Sequence, residues 1–348
     1  MTKPVTFSPA SHALMAILIA VAVVATGCAP AGHTAPVTPQ AAASPLPSQQ
    51  IAFGRFENDG HTIGEVIIEN ADGSHERKLT TPPTGMVDET PDWSPDGSAL
   101  VFVRWTPQSE QLFAAQADGS DVRALTPVDS NPSGLGDATE SRDEHPVYSP
   151  DGTQVAYVHI SGDEQSNVRK HADVWAMSAD GGAPIEITHL PDYAGEVDGV
   201  EWSPDGKQLV YSVFNDTPGA SFHGGALFTI DTDGTHSRRL TDWKLDAGGV
   251  PDWSSSTGLI AFRAVTDLEP GFGNIYTVRP DGTGLNRVTR FTKTALSSKV
   301  SVSVDGAWFL FAKGDQKAIF IQRDDGTSLG RVGVSSYYDS APDWGPRE

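Results

Sequence analysis

The sequence predicts an all-β fold: a six-bladed β-propeller of four-stranded antiparallel blades, its ring closed by the C-terminal strand joining the N-terminal blade. Three observations predict it. A strand-and-turn segment recurs about every fifty residues, an Asp-Gly turn follows each copy, and the ends of the repeat region supply complementary parts of one unit. Self-similarity at this period, made of short strands, is the mark of propeller blades.

The recurring segment reads Pro91-Asp92-Trp93-Ser94-Pro95-Asp96-Gly97, then Pro146-Val147-Tyr148-Ser149-Pro150-Asp151-Gly152, then Val200-Glu201-Trp202-Ser203-Pro204-Asp205-Gly206. Weaker copies are Pro251-Asp252-Trp253-Ser254, with Gly258 closing its turn, and Val300-Ser301-Val302-Ser303-Val304-Asp305-Gly306. An apolar strand follows each copy at once: ALVFVR, QVAYVH, QLVYSV, LIAFRA and WFLFAK. Pro and Gly around an Asp suit a tight connection between two strands.

The second hairpin of each unit turns at Asp72-Gly73, Asp118-Gly119, Asp180-Gly181, Asp233-Gly234, Asp281-Gly282 and Asp325-Gly326. The strand before the turn is expected to alternate apolar and polar, as in Gln111–Gln116. The strand after it ends in Leu-Thr or a near equivalent: Leu79-Thr80, Leu125-Thr126, Ile187-Thr188, Leu240-Thr241 and Val288-Thr289. A calcium-loop reading of Asp231–Gly234 is the weaker one, because a hairpin turn accounts for all six copies. Ile51–Arg55 matches a second strand with no first, and Ala341–Gly345 a first strand with no second. Pairing the two completes a blade and removes two exposed edges.

These W-S-P-D-G strand starts, A-D-G turns and L-T strand ends resemble the WD40-like repeats of the TolB propeller family, over about residues 51–348. The resemblance implies the fold. The family's extra N-terminal α/β domain has no counterpart here, where a short tether precedes the blades, so a Tol-Pal role is not carried over.

Ahead of the repeats, Ala13–Gly27 is an apolar run preceded by Lys3 and His12, too short for a comfortable membrane span and right for a signal-peptide core. It ends Ala25-Thr26-Gly27-Cys28, which resembles a bacterial lipoprotein lipobox, and Cys28 is the single cysteine of the chain. The resemblance implies a signal peptide over 1–27 and a mature N-terminus at Cys28 carrying diacylglycerol and a further acyl chain such as palmitate. The expected location is the extracytoplasmic face of the cell membrane. Residues 28–50, rich in Pro and Ala, read as a disordered tether, and 51–348 as the propeller.

The formal net charge of −21 in 348 residues excludes nucleic acid as a partner, since phosphate binding needs a basic face. It also disfavours anionic lipid, leaving the lipid anchor as the only membrane contact and a monomer as the expected state. Topology then directs attention to one face. In a four-stranded blade the first-to-second and third-to-fourth turns share a face, and here these are short and uniform. The second-to-third loops and the blade-to-blade loops share the other, and they hold the length variation, as in 126–144, 161–172 and 215–225. Variable loops on a rigid scaffold are where binding resides.

That face receives the start of each inner strand, and the starts are acidic. Asp88, Glu89, Asp143, Glu144, His145, Asp198 and Asp339 are the candidates for a channel mouth that takes a cation or a partner's basic group. Arg104, Trp105, Arg169, Tyr193, Tyr337 and Tyr338 are the candidate loop contacts. No cofactor is expected; calcium or another divalent cation is the metal the acids would suit, and its identity is unknown. His145, His159, His171, His189 and His223 lack the spacing of a zinc site. Of the catalytic motifs, the sequence has no His-Glu-x-x-His and no phosphate loop. The expected function is a scaffold or sensor binding an envelope protein or cell-wall component. The alternative is a glycan-active lyase or hydrolase, or a small-ligand or metal-binding propeller, working at the acidic mouth.

Overall fold

The computed structural model describes residues 49–57, 62–106, 109–126, 141–161, 171–190, 195–215, 224–265, 273–292, 296–314, 316–333 and 337–346. Cys28, Arg169, Tyr193 and His223 lie outside them, as do the signal peptide and nearly all of the tether. Among the described residues the only helix is one 3-10 turn, Trp243–Leu245.

The strands pair in antiparallel runs of four. The first unit holds β1 (Gln50–Phe56), β2 (Gly64–Asn70) and β3 (Arg77–Lys78), with β24 (Tyr338–Trp344) on the other edge of β1. The second holds β4 (Val87–Trp93), β5 (Ala99–Trp105), β6 (Glu110–Gln116) and β7 (Arg123–Ala124). The third holds β8 (Arg142–Tyr148), β9 (Gln154–Ser161), β10 (His171–Ser178) and β11 (Ile185–Glu186). The fourth holds β12 (Glu196–Trp202), β13 (Gln208–Asn215), β14 (Gly224–Asp231) and β15 (Arg238–Arg239). The fifth holds β16 (Ala247–Trp253), β17 (Ile260–Ala264), β18 (Asn274–Val278) and β19 (Asn286–Arg287). The sixth holds β20 (Leu296–Val302), β21 (Trp308–Lys313), β22 (Ala318–Arg323) and β23 (Gly330–Arg331).

Each recurrent motif has a local job. In the Ser-Pro-Asp-Gly turn, the Ser94 hydroxyl donates to Asp96 (2.8 Å) and accepts the Ala99 N–H (2.9 Å), and Ser149 and Ser203 do the same. In the Leu-Thr strand ends, the threonine hydroxyl accepts a third-strand N–H fourteen residues earlier. Val66 donates to Thr80 at 3.1 Å, Leu112 to Thr126 at 3.0 Å, and Val174 to Thr188 at 2.9 Å. The fourth strands are only two residues long, so this bond extends a ladder that would otherwise stop.

Apolar side chains gather in clusters that each join two neighbouring units. Trp93, Leu100 and Phe102 pack on Ala52, Val66 and Ile68; Trp202, Leu209 and Tyr211 pack on Val158, Val174 and Ile187. Trp308, Leu310 and Ile319 of the sixth unit pack on Ile51, Phe53 and Trp344 of the first. A unit in the middle of such a stack is covered on both faces, which is why its second strand is one continuous apolar run. The same stacking overrides the alternation expected of the third strands. In β6 every residue but Phe113 and Gln116 is buried, and Phe113 itself stacks on Phe102.

The Asp-Gly turns also serve this stacking. Gly119 has φ +86°, and a Cβ there would lie 2.7 Å from the carbonyl oxygen of Leu79 in the preceding unit. Gly234 repeats the approach to Ile187, at 2.9 Å. Glycine is required here twice over, for its left-handed backbone and for the close contact.

Candidate functional site

The inner strands β4, β8, β12, β16, β20 and β24 each break register near their middle. In three of them the break carries a non-glycine residue in the left-handed region: Thr90 (φ +47°), His145 (φ +53°) and Ala341 (φ +46°). Acids before the break and acids after it therefore have different surroundings.

Before the break, three candidate mouth acids are buried against a hydrogen-bonding partner on the facing strand of their own unit. Asp88 takes a two-pronged contact from Arg104, Nε to Oδ1 at 2.6 Å and Nη2 to Oδ2 at 2.8 Å. Asp143 meets His159 Nδ1 at 2.7 Å, and Asp339 accepts from Arg55 Nε at 2.7 Å. The registers Asp88↔Arg104, Asp143↔His159 and Arg55↔Asp339 repeat one design in three units. This corrects the sequence expectation: Asp88, Asp143 and Asp339 are at most 3% exposed and do not line an open mouth. Arg104 is likewise no loop contact, since its guanidinium lies 4.3 Å from the Phe113 ring centroid. The cause is that a carboxyl group facing the interior is tolerated only with a hydrogen-bonding partner beside it.

The neighbouring position turns the other way and stays half-buried. Glu89 accepts the Trp105 indole N–H, Glu144 lies 3.9 Å from His145 Nε2, and Asp198 accepts the Gly249 N–H at 2.6 Å. Glu144 also faces Glu110, which is 3% exposed and 3.5 Å from Arg142 Nη1. Burial, then the Glu144 charge, pushes the Glu110 carboxyl up to about 10; burial pushes Glu89 to about 7. Trp105 and Tyr337 are exposed, whereas Tyr338 is half-buried against Phe56. With Phe214, they are the exposed large aromatic side chains among the described residues, and all three stand at the variable-loop end of their units. Exposed apolar side chains at the opposite end, such as Val122, Leu285 and Val304, are aliphatic.

After the break lies a group that sequence reasoning missed. Asp92 accepts the N–H of Tyr148, Asp343 that of Trp93, and Asp252 that of Val302, at 2.9, 3.2 and 2.8 Å. Each reaches from one unit to the equivalent residue of the next, and Ser301 does the same by accepting the Trp344 N–H at 3.2 Å. Among them sits Lys299, buried, 3.1 Å from Asp343 and 3.6 Å from Asp92, and donating to the Pro91 carbonyl at 3.0 Å. Burial and the Asp343 charge raise Asp92 to about 8, burial raises Asp252 to about 7, and Glu201 also lies well above its ordinary range. Burial opposes the charge of Lys299, but Asp343 and Asp92 outweigh it and hold the ammonium protonated. The available signal was the acid directly before the strand-ending Trp in Pro91-Asp92-Trp93, Pro251-Asp252-Trp253 and Pro342-Asp343-Trp344. No group of three or more His, Cys, Asp or Glu side chains among the described residues is placed to hold a metal ion.

With this geometry in hand, comparison with known proteins decides the fold family. TolB of Acinetobacter baumannii superposes with a TM-score of 0.65 at 15% identity, covering 86% of this chain and 67% of that one. In sequence, TolB of Anaeromyxobacter dehalogenans is 28% identical over 132 residues, 38% of this chain and 26% of TolB. The chain is a TolB-like β-propeller. An uncharacterized protein of Agrobacterium fabrum is 29% identical over 238 residues, 68% of this chain and 66% of that protein. In sequence, the matched region of the TolB-like chain thus spans just under two thirds of the length of that relative and about a quarter of Anaeromyxobacter TolB. No family model matches the sequence. An oligogalacturonate lyase of Vibrio parahaemolyticus also has the fold (TM-score 0.54), so the fold alone does not choose between binding and catalysis.

Proposed function

We propose that this TolB-like propeller is a non-catalytic scaffold or sensor, closed into a ring of six blades, that binds an envelope protein or cell-wall component through its variable-loop face. Three repeated contacts support the closed ring: the apolar clusters, the side-chain-to-N–H latches of Asp or Ser, and the close approaches of one unit's turn to the next. Each recurs between the sixth unit and the first, in Trp308 with Phe53, in Ser301 with Trp344, and in Gly333 with Gly73.

The observation that carries the binding reading is the placement of Trp105, Phe214 and Tyr337, exposed aromatics at one end of the blades, with the Trp105 indole on the half-buried Glu89. Aromatic side chains supply large contact area at small entropic cost and dominate binding surfaces. The TolB relatives are components of the Tol-Pal system by name, which favours a protein partner by analogy. Acylation at Cys28 would place the face in the extracytoplasmic space, with residues 28–50 as the tether.

The test is affinity capture of the tethered protein after crosslinking in its native cells, with mass spectrometry of what accompanies it. A discrete envelope protein that is lost with Trp105→Ala plus Tyr337→Ala is the expected result. No such protein, together with saturable turnover of a glycan that Glu144→Gln abolishes, would put the enzymatic reading in its place.

A further inference from the structure

The corner where β4, β5, β6 and β8 meet gathers three glutamates, Glu89, Glu110 and Glu144, around one arginine, Arg142. Glu110 stands at the start of β6, opposite Trp105 on β5 and bridged in register to Arg142 on β8. It is 3% exposed, and its Oε2 has no hydrogen-bond donor. Glu144, two residues beyond Arg142, brings its carboxyl within hydrogen-bonding reach of it. Glu89 on β4 comes in from the other side with its carboxyl on the Trp105 indole. The remaining charged groups on these strands are Asp88 with Arg104, Asp143 with His159, His145 against Glu144, and, beyond the register break, Asp92 with Lys299. The first two pairs are already closed, so Arg142 is the cation in contact with Glu110.

We propose that Glu89, Glu110 and Glu144 form a receptor for one guanidinium group, an arginine side chain of the bound partner, which enters over Trp105 and displaces a proton from the corner. A buried carboxyl with an unmatched oxygen must be neutralised, either by a proton or by a cation. A metal ion does not suit the spacing, since no three acids here are placed to ligate one. A guanidinium does suit it: its five donors lie in a planar fork that reaches separate carboxylates, and its face stacks on an indole. Trp105, 40% exposed, offers that indole face next to Glu89. The exchange balances simply, one cation in and one proton out to solvent, so affinity rises with pH. Burial and Glu144 push Glu110 up to about 10, which supplies the proton at neutral pH.

This inference rests on the loop-face reading, and its test separates the two. The probe is N-acetyl-arginine amide, titrated into the full folded protein, with the indole N–H resonance of Trp105 followed by NMR and assigned from Trp105→Phe. Saturable movement of that resonance is expected, tightening roughly tenfold per pH unit between pH 6.5 and 8.5 as one proton is released. Glu110→Gln should remove the pH dependence and weaken binding, and Asp233→Asn, in an Asp-Gly turn at the opposite end of the blades, should change neither. Should Glu110→Gln fail to fold, Glu144→Gln tests the same corner from a more exposed position. A linear, non-saturating shift, or equal binding at both pH values in wild type and Glu110→Gln, overturns the receptor. Saturable binding here with no captured envelope partner would keep the receptor and remove the scaffold reading.

Discussion

Lys299 shows how a single side chain ties three units together. From β20 it reaches Asp343 on β24 and Asp92 with the Pro91 carbonyl on β4. Removing one partner of a buried ion network leaves the others charged and desolvated, at a cost of about 3–5 kcal/mol. Lys299→Met is therefore expected to lower the urea midpoint strongly, and adding Asp343→Asn to recover part of the loss. Chemical denaturation of the single and double variants checks it; additive losses would show that the two groups act separately. Neither member was readable as a partner of the other in sequence, because they stand 44 positions apart and nothing local links them. Asp88 misled for a related reason: its partner Arg104 comes from the next strand, and only the register brings them together.

At the scale of the element, the turns and strand ends were readable because their chemistry is local. Ser94 with Asp96, and Thr80 with the Val66 N–H, need only residues close in sequence. The register break in the inner strands was not readable, since it is marked by Thr90, His145 and Ala341, three unlike residues in one strained conformation. It decides which acids face their own unit and which reach the next, and so which of the candidate acids stay half-buried rather than closed off. The glycine turns provide a test. Gly234 and Gly258 both have positive φ, but only at Gly234 would a Cβ meet a neighbouring unit, 2.9 Å from Ile187 O. Backbone strain alone costs about 1–3 kcal/mol at either site. Gly234→Ala is expected to destabilise by more than Gly258→Ala, and equal thermal shifts would contradict the close-approach account.

For the whole molecule, the buried acids set a pH dependence opposite to that of ordinary surface ion pairs. Glu89, Glu69 and Asp252 are held near 7, Asp92 near 8 and Glu110 near 10, chiefly by burial, against ordinary values of 4.5 for Glu and 3.8 for Asp. Each carries more proton when folded than when unfolded across that interval. Their stabilisation is complete below the ordinary values and is lost as pH rises through 7 to 10. The turn aspartates Asp96, Asp118 and Asp233 run the other way: hydrogen bonds from Ser98, Ser120 and Thr235 lower them, so their contribution is lost as pH falls below about 4. The melting temperature is expected to be highest in mildly acidic buffer, near pH 5 to 6, and to fall towards pH 9, with a shallower fall in Glu110→Gln. Calorimetry across that range measures it, and a melting temperature that climbs from pH 5 to 9 would contradict it.

The central claim is that one end of the blades is the binding face. A photo-crosslinking amino acid placed singly at Phe214 and Tyr337, and for comparison at Asp118 and Asp233 in the turns of the opposite end, tests it most directly in intact cells. The account predicts a discrete crosslinked band from Phe214 and Tyr337 and none from Asp118 or Asp233. The same band from all four positions, or from the turn positions alone, would contradict it.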